Sequence, residues 1–324
     1  MKVFVTGGAG YIGSICVEEL LNAGHEVTVF DSLSQGHREA VDPRAAFVKG
    51  ELSDGKKLLK TISDFQAEAV IHYAASALVA ESMRDPSSYF DNNIANGIQL
   101  LIAAQKAGVK RFVHSSSCAI YGIPERVPIT EEMPQNPITP YGQTKLMFEQ
   151  ILQWYERIHG MIVANLRYFN AAGASDSFGE DHRVETHLIP NVLLAALGKK
   201  PNVEVYGNDY STPDGTCIRD YVHVQDLASA HILALALEKS DSFNLGTGVG
   251  TSVQQVIDSA RRITGRDITA VIKPRREGDP DALVAAASKA KRIMGWEAKF
   301  TRIDAVIESA WKWHQQFPDG YADA

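Results

Sequence analysis

The chain is short of cysteine, of long apolar runs and of positive charge. Its 324 residues include three cysteines, Cys16, Cys118 and Cys217, widely spaced and with no metal-ligand spacing. That argues against a disulfide framework and against a cysteine-built metal centre, so free thiols in a reducing compartment are the expectation. No stretch approaches the ~18 uninterrupted apolar residues of a membrane helix, and the opening Met-Lys-Val-Phe-Val-Thr-Gly enters a strand pattern with no cleavage site behind it. Lysine and arginine total 32 against 39 aspartates and glutamates, a formal charge of -7, which removes the basic footprint a nucleic-acid partner needs. What remains is ordinary: 45% hydrophobic and 22% charged residues, enough for about two domains of a soluble, cytoplasmic protein.

Short β-branched runs alternate with helical patterns from the first residue. Lys2 to Thr6, Glu26 to Asp31, Ala69 to Ala74, Arg111 to Ser117 and Met161 to Phe169 read as strands, and Tyr11 to Ala23, Asp91 to Ala107 and Tyr141 to His159 as helices. The strands are continuously apolar, so helices must cover both faces, and the fold class is α/β: a Rossmann-type doubly wound parallel sheet. After Asn170 the pattern loosens into shorter mixed elements, a smaller α/β substrate-binding lobe. The expected division is 1–172 for the nucleotide-binding domain, with 221–246 returning to it, and 173–324 for the smaller domain.

Thr6-Gly7-Gly8-Ala9-Gly10-Tyr11-Ile12-Gly13 follows a strand and opens a helix. Gly7, Gly10 and Gly13 can make the tight turn and let backbone approach a pyrophosphate at the helix N-terminus. The next strand ends in Asp31, eighteen positions after Gly13, where a carboxylate binds an adenosine ribose diol and repels a 2′-phosphate, favouring NAD. Glu51 and Leu52, at the third strand end, and Tyr73, Ala74 and Ala75, at the fourth, fall where a dinucleotide would run.

Tyr141 and Lys145 stand four residues apart, on one face of a helix. A phenol with a pKa near ~10 is a poor base at neutral pH, and a neighbouring cation should lower it. Tyr-x-x-x-Lys alone is a common accident. Ser117 gives it weight, because it ends the fifth strand, and strand ends are where doubly wound sheets bind ligands.

This Ser117-Tyr141-Lys145 set resembles that of the short-chain dehydrogenase/reductases, and TGGAGYIG resembles the fingerprint of their extended, sugar-nucleotide branch. DSLSQGHREAV, SSSCAIYG, PYGQTKLMFE, LRYFNAAG, YGNDYSTPDGTCIRDYVHV and PRREGDPD, in that order, are similar to segments of the UDP-glucose 4-epimerases. The resemblance implies NAD as cofactor, with Tyr11, Ile12, Ser32, Leu33, Ser34, Gln35, Gly36, Asn92 and Phe169 along it. It implies a UDP-sugar substrate, with Asn170, His187 and Leu188 at the diphosphate and Val205, Tyr206 and Tyr221 also in its site. Tyr206 would stack on uracil, Arg219 and Arg276 would hold the pyrophosphate, and Asp279 would accept from the ribose. Leu283 stands where a tyrosine narrows the sugar pocket of some members, so N-acetylated sugars are a candidate substrate.

No metal is implied. A lysine near the cofactor in some members is Ala77 here. The helices around Ile98 and Ile151 would pair with their copies in a homodimer. Two rival readings are a nucleotide-sugar dehydratase, which needs an acid and a base where this chain has Cys118 and Ala119, and a non-catalytic NAD-sensing regulator, which would not need Ser117, Tyr141 and Lys145 together.

Overall fold

The computed structural model describes residues 1–276 and 278–322. In chain order its strands are β1 (Lys2–Thr6), β2 (Glu26–Asp31), β3 (Ala46–Lys49), β4 (Ala69–His72), β5 (Arg111–Ser117), β6 (Ile162–Tyr168), β7 (Asn170–Ala172), β8 (Val203–Tyr206), β9 (Ile218–His223), β10 (Asp241–Leu245), β11 (Gly250–Ser252), β12 (Ala270–Lys273) and β13 (Ala282–Leu283). Its helices are α1 (Tyr11–Asn22), α2 (Gly55–Phe65), α3 (Val79–Ser82), α4 (Pro86–Phe90), α5 (Gly97–Lys106), α6 (Pro140–His159), α7 (Leu188–Ala196), α8 (Val224–Ala234), α9 (Val253–Thr264), α10 (Ser288–Met294) and α11 (Ile303–Gln316).

Seven strands form one sheet in the order β10-β6-β5-β4-β1-β2-β3, and every neighbouring pair is parallel. Alternate residues of a strand point to opposite faces, so each face needs its own core. Val3, Val5 and Ile71 pack with Val17 of α1 and with Leu227 and Ala228 of α8 on one side. Phe4, Val70 and Phe112 pack with Leu58 and Ile62 of α2, Leu100 and Leu101 of α5, and Phe148 and Leu152 of α6 on the other. Each such side chain contributes roughly 1.5–3 kcal/mol on burial, which is why these runs form buried strands despite having no polar face.

The smaller lobe holds a second core, built from Val192 and Leu193 of α7, Val203 and Val205 of β8, Val256 and Ile257 of α9, and Val306 and Ile307 of α11. Its sheets are β11-β9-β13, with β7 also pairing β9, and the β12-β8 pair. Between these elements the chain returns to the main sheet, where β10 pairs in parallel with β6, Phe243 opposite Leu166.

Two element boundaries differ from the sequence expectation. β4 stops at His72, leaving Tyr73 to Ala75 in the loop beyond it. The long helix expected from Asp91 is instead a π-helical turn over Asp91–Asn96 that leads into α5. Asn93 accounts for the wider turn: its side chain is drawn inward, accepting from Ser76 N at 2.8 Å and donating to Thr144 Oγ1 at 3.0 Å. Among the described residues no helix is long and apolar enough to cross a membrane.

Candidate active site

The direction of the crossovers reverses between β1 and β4, and the C-terminal ends of the parallel strands there open a crevice, the usual ligand position in such sheets. Gly7 turns out of β1 with φ +75, and a Cβ on it would stand 2.5 Å from Ala74 N. A Cβ on Gly13 would stand 2.2 Å from Gly7 O. Those two glycines are required by the protein's own packing. Gly10 is different: it sits at the N-cap of α1 with φ -88 and ψ 173, a conformation open to any residue, and its Cβ would meet nothing closer than Gly7 O at 3.5 Å. A glycine that the fold does not demand, at a helix N-terminus, leaves a cradle for a phosphate group.

Asp31 ends β2 inside this crevice. Its carboxylate accepts from Ala9 N at 3.0 Å and from Leu33 N at 2.8 Å, and the second bond bends Leu33 into the left-handed region at φ 62. Burial raises the Asp31 pKa against those stabilising bonds. Gly36 packs on the same loop, since a Cβ there would stand 2.6 Å from Ala9 C. Ser32 and Ser34 are hydroxyl-bonded to each other at 2.9 Å, and Ser32, Gly50 and Glu51 line a cavity of about 390 Å3 beside them. Cradle, carboxylate and cavity together fit a dinucleotide with free ribose hydroxyls.

Tyr73 is half-buried beside His231, ring centroids 4.8 Å apart. Asn92 donates to Ser76 Oγ at 3.1 Å. Leu52 and Phe169 are buried, and Phe169 N donates to Leu245 O at 3.4 Å.

The reactive face comes from β5 and α6. Thr139 caps α6 by accepting from Gly142 N at 3.1 Å, and Pro140 occupies its first turn. One turn on, Lys145 lies with its ammonium 5.8 Å from the centre of the Tyr141 ring. Ser117, at the end of β5, lies close enough to the Tyr141 phenol for its hydroxyl to favour the phenolate, and its Oγ accepts from Ala119 N at 3.2 Å. The expectation that the lysine lowers the tyrosine pKa is not met in this structure. Burial pushes Tyr141 up to about 12 against the Ser117 hydroxyl, and burial pulls Lys145 down to about 7.

Behind this face lies a network that sequence reasoning missed. Glu149, one further turn along α6, makes two bonds to Arg167 of β6, at 3.0 and 2.6 Å, and accepts from Ser116 Oγ at 2.5 Å. Arg167 also donates to Tyr121 at 2.9 Å, which donates to Asn244 of β10 at 2.7 Å. Glu149 raises the Lys145 pKa against burial. The available signal was the spacing: Tyr141, Lys145 and Glu149 repeat at four residues on one helix face.

The residues expected at the substrate fall into two groups. Arg219, Asp279, Tyr206, Arg276 and Leu283 come together: Arg219 is ion-paired with Asp279, the Arg276 guanidinium covers the Tyr206 ring at 4.1 Å, and Leu283 pairs with Arg219 across β13 and β9. Asn170 and Tyr221 are partners across β7 and β9. The others are engaged elsewhere. The Val205 side chain belongs to the lobe's core. His187, just before Leu188 at the start of α7, turns its ring to Glu180 and Glu185 at 3.0 Å each.

A family model described as the NAD dependent epimerase/dehydratase family matches residues 3–246. A UDP-glucose 4-epimerase of Lactobacillus helveticus is 51% identical over 329 residues, covering 100% of both chains. Among solved structures, UDP-glucose 4-epimerase from Brucella ovis in complex with NAD is 45% identical with a TM-score of 0.93, covering 96% of this chain and 97% of that one. The enzyme of Bifidobacterium longum in complex with NAD+ and UDP is 38% identical with a TM-score of 0.95, covering 99% and 100%.

Proposed function

The chain belongs to the NAD-dependent epimerase/dehydratase family, and we propose that within it the protein interconverts UDP-glucose and UDP-galactose. The observation that carries this reading is the joint placement of the Ser117–Tyr141–Lys145 face and the Gly10–Asp31 dinucleotide cradle along one sheet edge. The Gly10 cradle and Asp31 would hold NAD, whose chemistry there would be to accept a hydride from C4 of the sugar and to return it to the opposite face.

The side chains handle the proton. Tyr141, as phenolate, takes the C4 hydroxyl proton and later gives it back, while Ser117 hydrogen-bonds the reacting oxygen. Burial holds the Tyr141 phenol up at about 12, so its anion needs more positive charge than Lys145 alone provides in this structure, and an oxidised nicotinamide ring would add it. Between the two transfers the keto sugar rotates about its phosphate bond. Rotation requires a loose hexose pocket and a firm grip on the nucleotide, so binding energy belongs on UDP. Arg219, Arg276, Tyr206 and Asp279 supply that grip. For Arg219 this means exchanging its ion pair with Asp279 for the diphosphate, and for Tyr206 stacking on uracil with the ring face that Arg276 leaves free.

Cys118 and Ala119 follow Ser117 where dehydration would need carboxylates, so the keto sugar keeps its hydroxyls. The reading includes a cytoplasmic location and a homodimer built on α5 and α6. Leu101, Leu146, Phe148 and Leu152 of those helices are buried in the monomer's core, and Ile151 packs against it, which leaves Ile98 and Ile102 for the partner; light scattering reads the mass.

The purified protein is incubated with UDP-galactose without added NAD, and the UDP-hexoses are separated by chromatography. Interconversion that falls ~10²–10⁴-fold in Tyr141→Phe, at unchanged NAD content, is the expected result. No interconversion even with NAD supplied rejects this substrate pair, and full activity in the variant rejects the role of Tyr141.

A further inference from the structure

The segment between β7 and α7 contains Glu180-Asp-His182-Arg-Val-Glu185-Thr-His187, in which Glu-x-His occurs twice with two residues between. Folding gathers all four repeated side chains. Glu180 Oε1 stands 3.4 Å from His182 Nδ1 and 3.0 Å from His187 Nδ1. The Glu185 carboxylate stands 3.1 Å from the first nitrogen and 3.0 Å from the second. One donor atom from each residue lies within 4.8 Å of all the others. Both carboxylates are nearly buried, at 7% and 9% side-chain exposure.

We propose that Glu180, His182, Glu185 and His187 bind one divalent transition-metal ion, zinc in preference to others, at a structural site separate from the reaction. The first argument is spacing. Zinc bonds to nitrogen and oxygen of roughly 2.0–2.2 Å put the corners of a tetrahedron roughly 3.3–3.6 Å apart; these nitrogen–oxygen pairs stand 3.0 to 3.4 Å apart, with His182 meeting Glu185 Oε2 and His187 meeting Oε1, so an ion need only spread them by a few tenths of an ångström. The second is the donor set. Two imidazoles disfavour calcium and magnesium, which take oxygen, whereas two carboxylates with two neutral imidazoles match zinc in both charge and ligand type.

Four protein ligands complete a tetrahedron and leave no open position, the mark of a structural ion. The ligands are themselves held: Glu185 Oε1 accepts from His187 N at 2.6 Å, and the His187 carbonyl accepts from Asn191 at 2.7 Å. A cavity of about 240 Å3, lined by Glu180, His182 and Glu185, offers a way in.

The position gives the ion a task. His187 is the N-cap of α7, and the His182 ring meets Tyr11, the first residue of α1, edge-on with centroids 6.2 Å apart. An ion here ties the segment before α7 to the helix that follows the glycine loop. The competing account of the same contacts is two imidazolium–carboxylate pairs. Metal binding replaces the ring protons that those pairs use, so the two accounts differ in what the protein retains.

Full-length protein with its own cofactor is stripped with EDTA, incubated with zinc sulfate, desalted, and assayed for zinc by mass spectrometry. One zinc per chain, a Tm that rises until one equivalent has been added, and at least tenfold less zinc in His182→Gln and in Glu180→Gln are the expected results. Absence of zinc in the desalted wild type overturns the site, as does equal retention in both variants. If circular dichroism shows that one variant has not folded, the other decides. If neither folds, X-ray absorption of the zinc-loaded wild type decides: two imidazole nitrogens and two carboxylate oxygens support the site, and sulfur or water ligation overturns it.

Discussion

Lys145 donates its ammonium proton to the Ser115 carbonyl across 2.6 Å, in an interior where the lysine is 3% exposed. One carbonyl does not replace the water an ammonium loses, so the charge is held at a cost to stability. Its folded pKa is lowered from 10.5 to about 7. Between those values the unfolded chain binds a proton that the folded chain does not, and this group makes stability rise with pH across the window. Lys145→Met should keep or raise Tm near pH 7 while turnover falls ~10²–10⁴-fold. The wild-type stability minus that of the variant should climb from pH 7 to 10; thermal melts across that range read it, and a flat difference rejects the account.

The glycine loop separates two kinds of requirement. Gly13→Ala places a Cβ 2.2 Å from Gly7 O, whereas Gly10→Ala meets nothing closer than 3.5 Å. Gly13→Ala should lose fold stability, and Gly10→Ala should melt like wild type once both are stripped of cofactor but retain little NAD on purification. Loss of fold in both, or full NAD content in Gly10→Ala, contradicts the cradle.

Much of this was readable in the chain itself. Apolar runs such as Phe4-Val5 and Val70-Ile71 can only be strands covered on both sides, and the interval from Gly13 to Asp31 is the length of one helix and the strand that follows it. Contacts between distant segments were not readable. The π-helical turn depends on Asn93 meeting Ser76 and Thr144, and the Arg219–Asp279 pair joins positions sixty residues apart. Nothing local tells Val205, packed in a core, from Tyr206, its neighbour on the other face of β8. The direction of the Tyr141 shift was also out of reach, since helix spacing shows the cation but not the depth of burial.

Arg167 and Glu149 are 5% and 2% exposed and bonded twice. Arg167→Met leaves a buried carboxylate without its counter-charge, which should cost about 3–5 kcal/mol in urea unfolding. Adding Glu149→Leu should recover most of that loss, because removing both charges costs far less than removing one. A single variant as stable as wild type would show the pair to be incidental.

Leu283 faces the substrate group through its pairing with Arg219. Wild type should turn over UDP-N-acetylglucosamine, and Leu283→Tyr should lose that reaction while keeping UDP-galactose. Equal rates of the two proteins with the N-acetyl sugar dismiss the idea.

The place of β10 in the sheet affects how the protein is made. β6 has β5 on one side, but its other edge is closed only by Asp241–Leu245. A growing chain therefore carries an unpaired, apolar strand edge from the synthesis of Tyr168 until Leu245 leaves the ribosome, the kind of surface that recruits other strands. The smaller lobe's first elements, β7 through β9, are produced during that interval, so vectorial synthesis leaves the Rossmann sheet waiting for them, and the nascent chain should depend most on chaperones over that stretch.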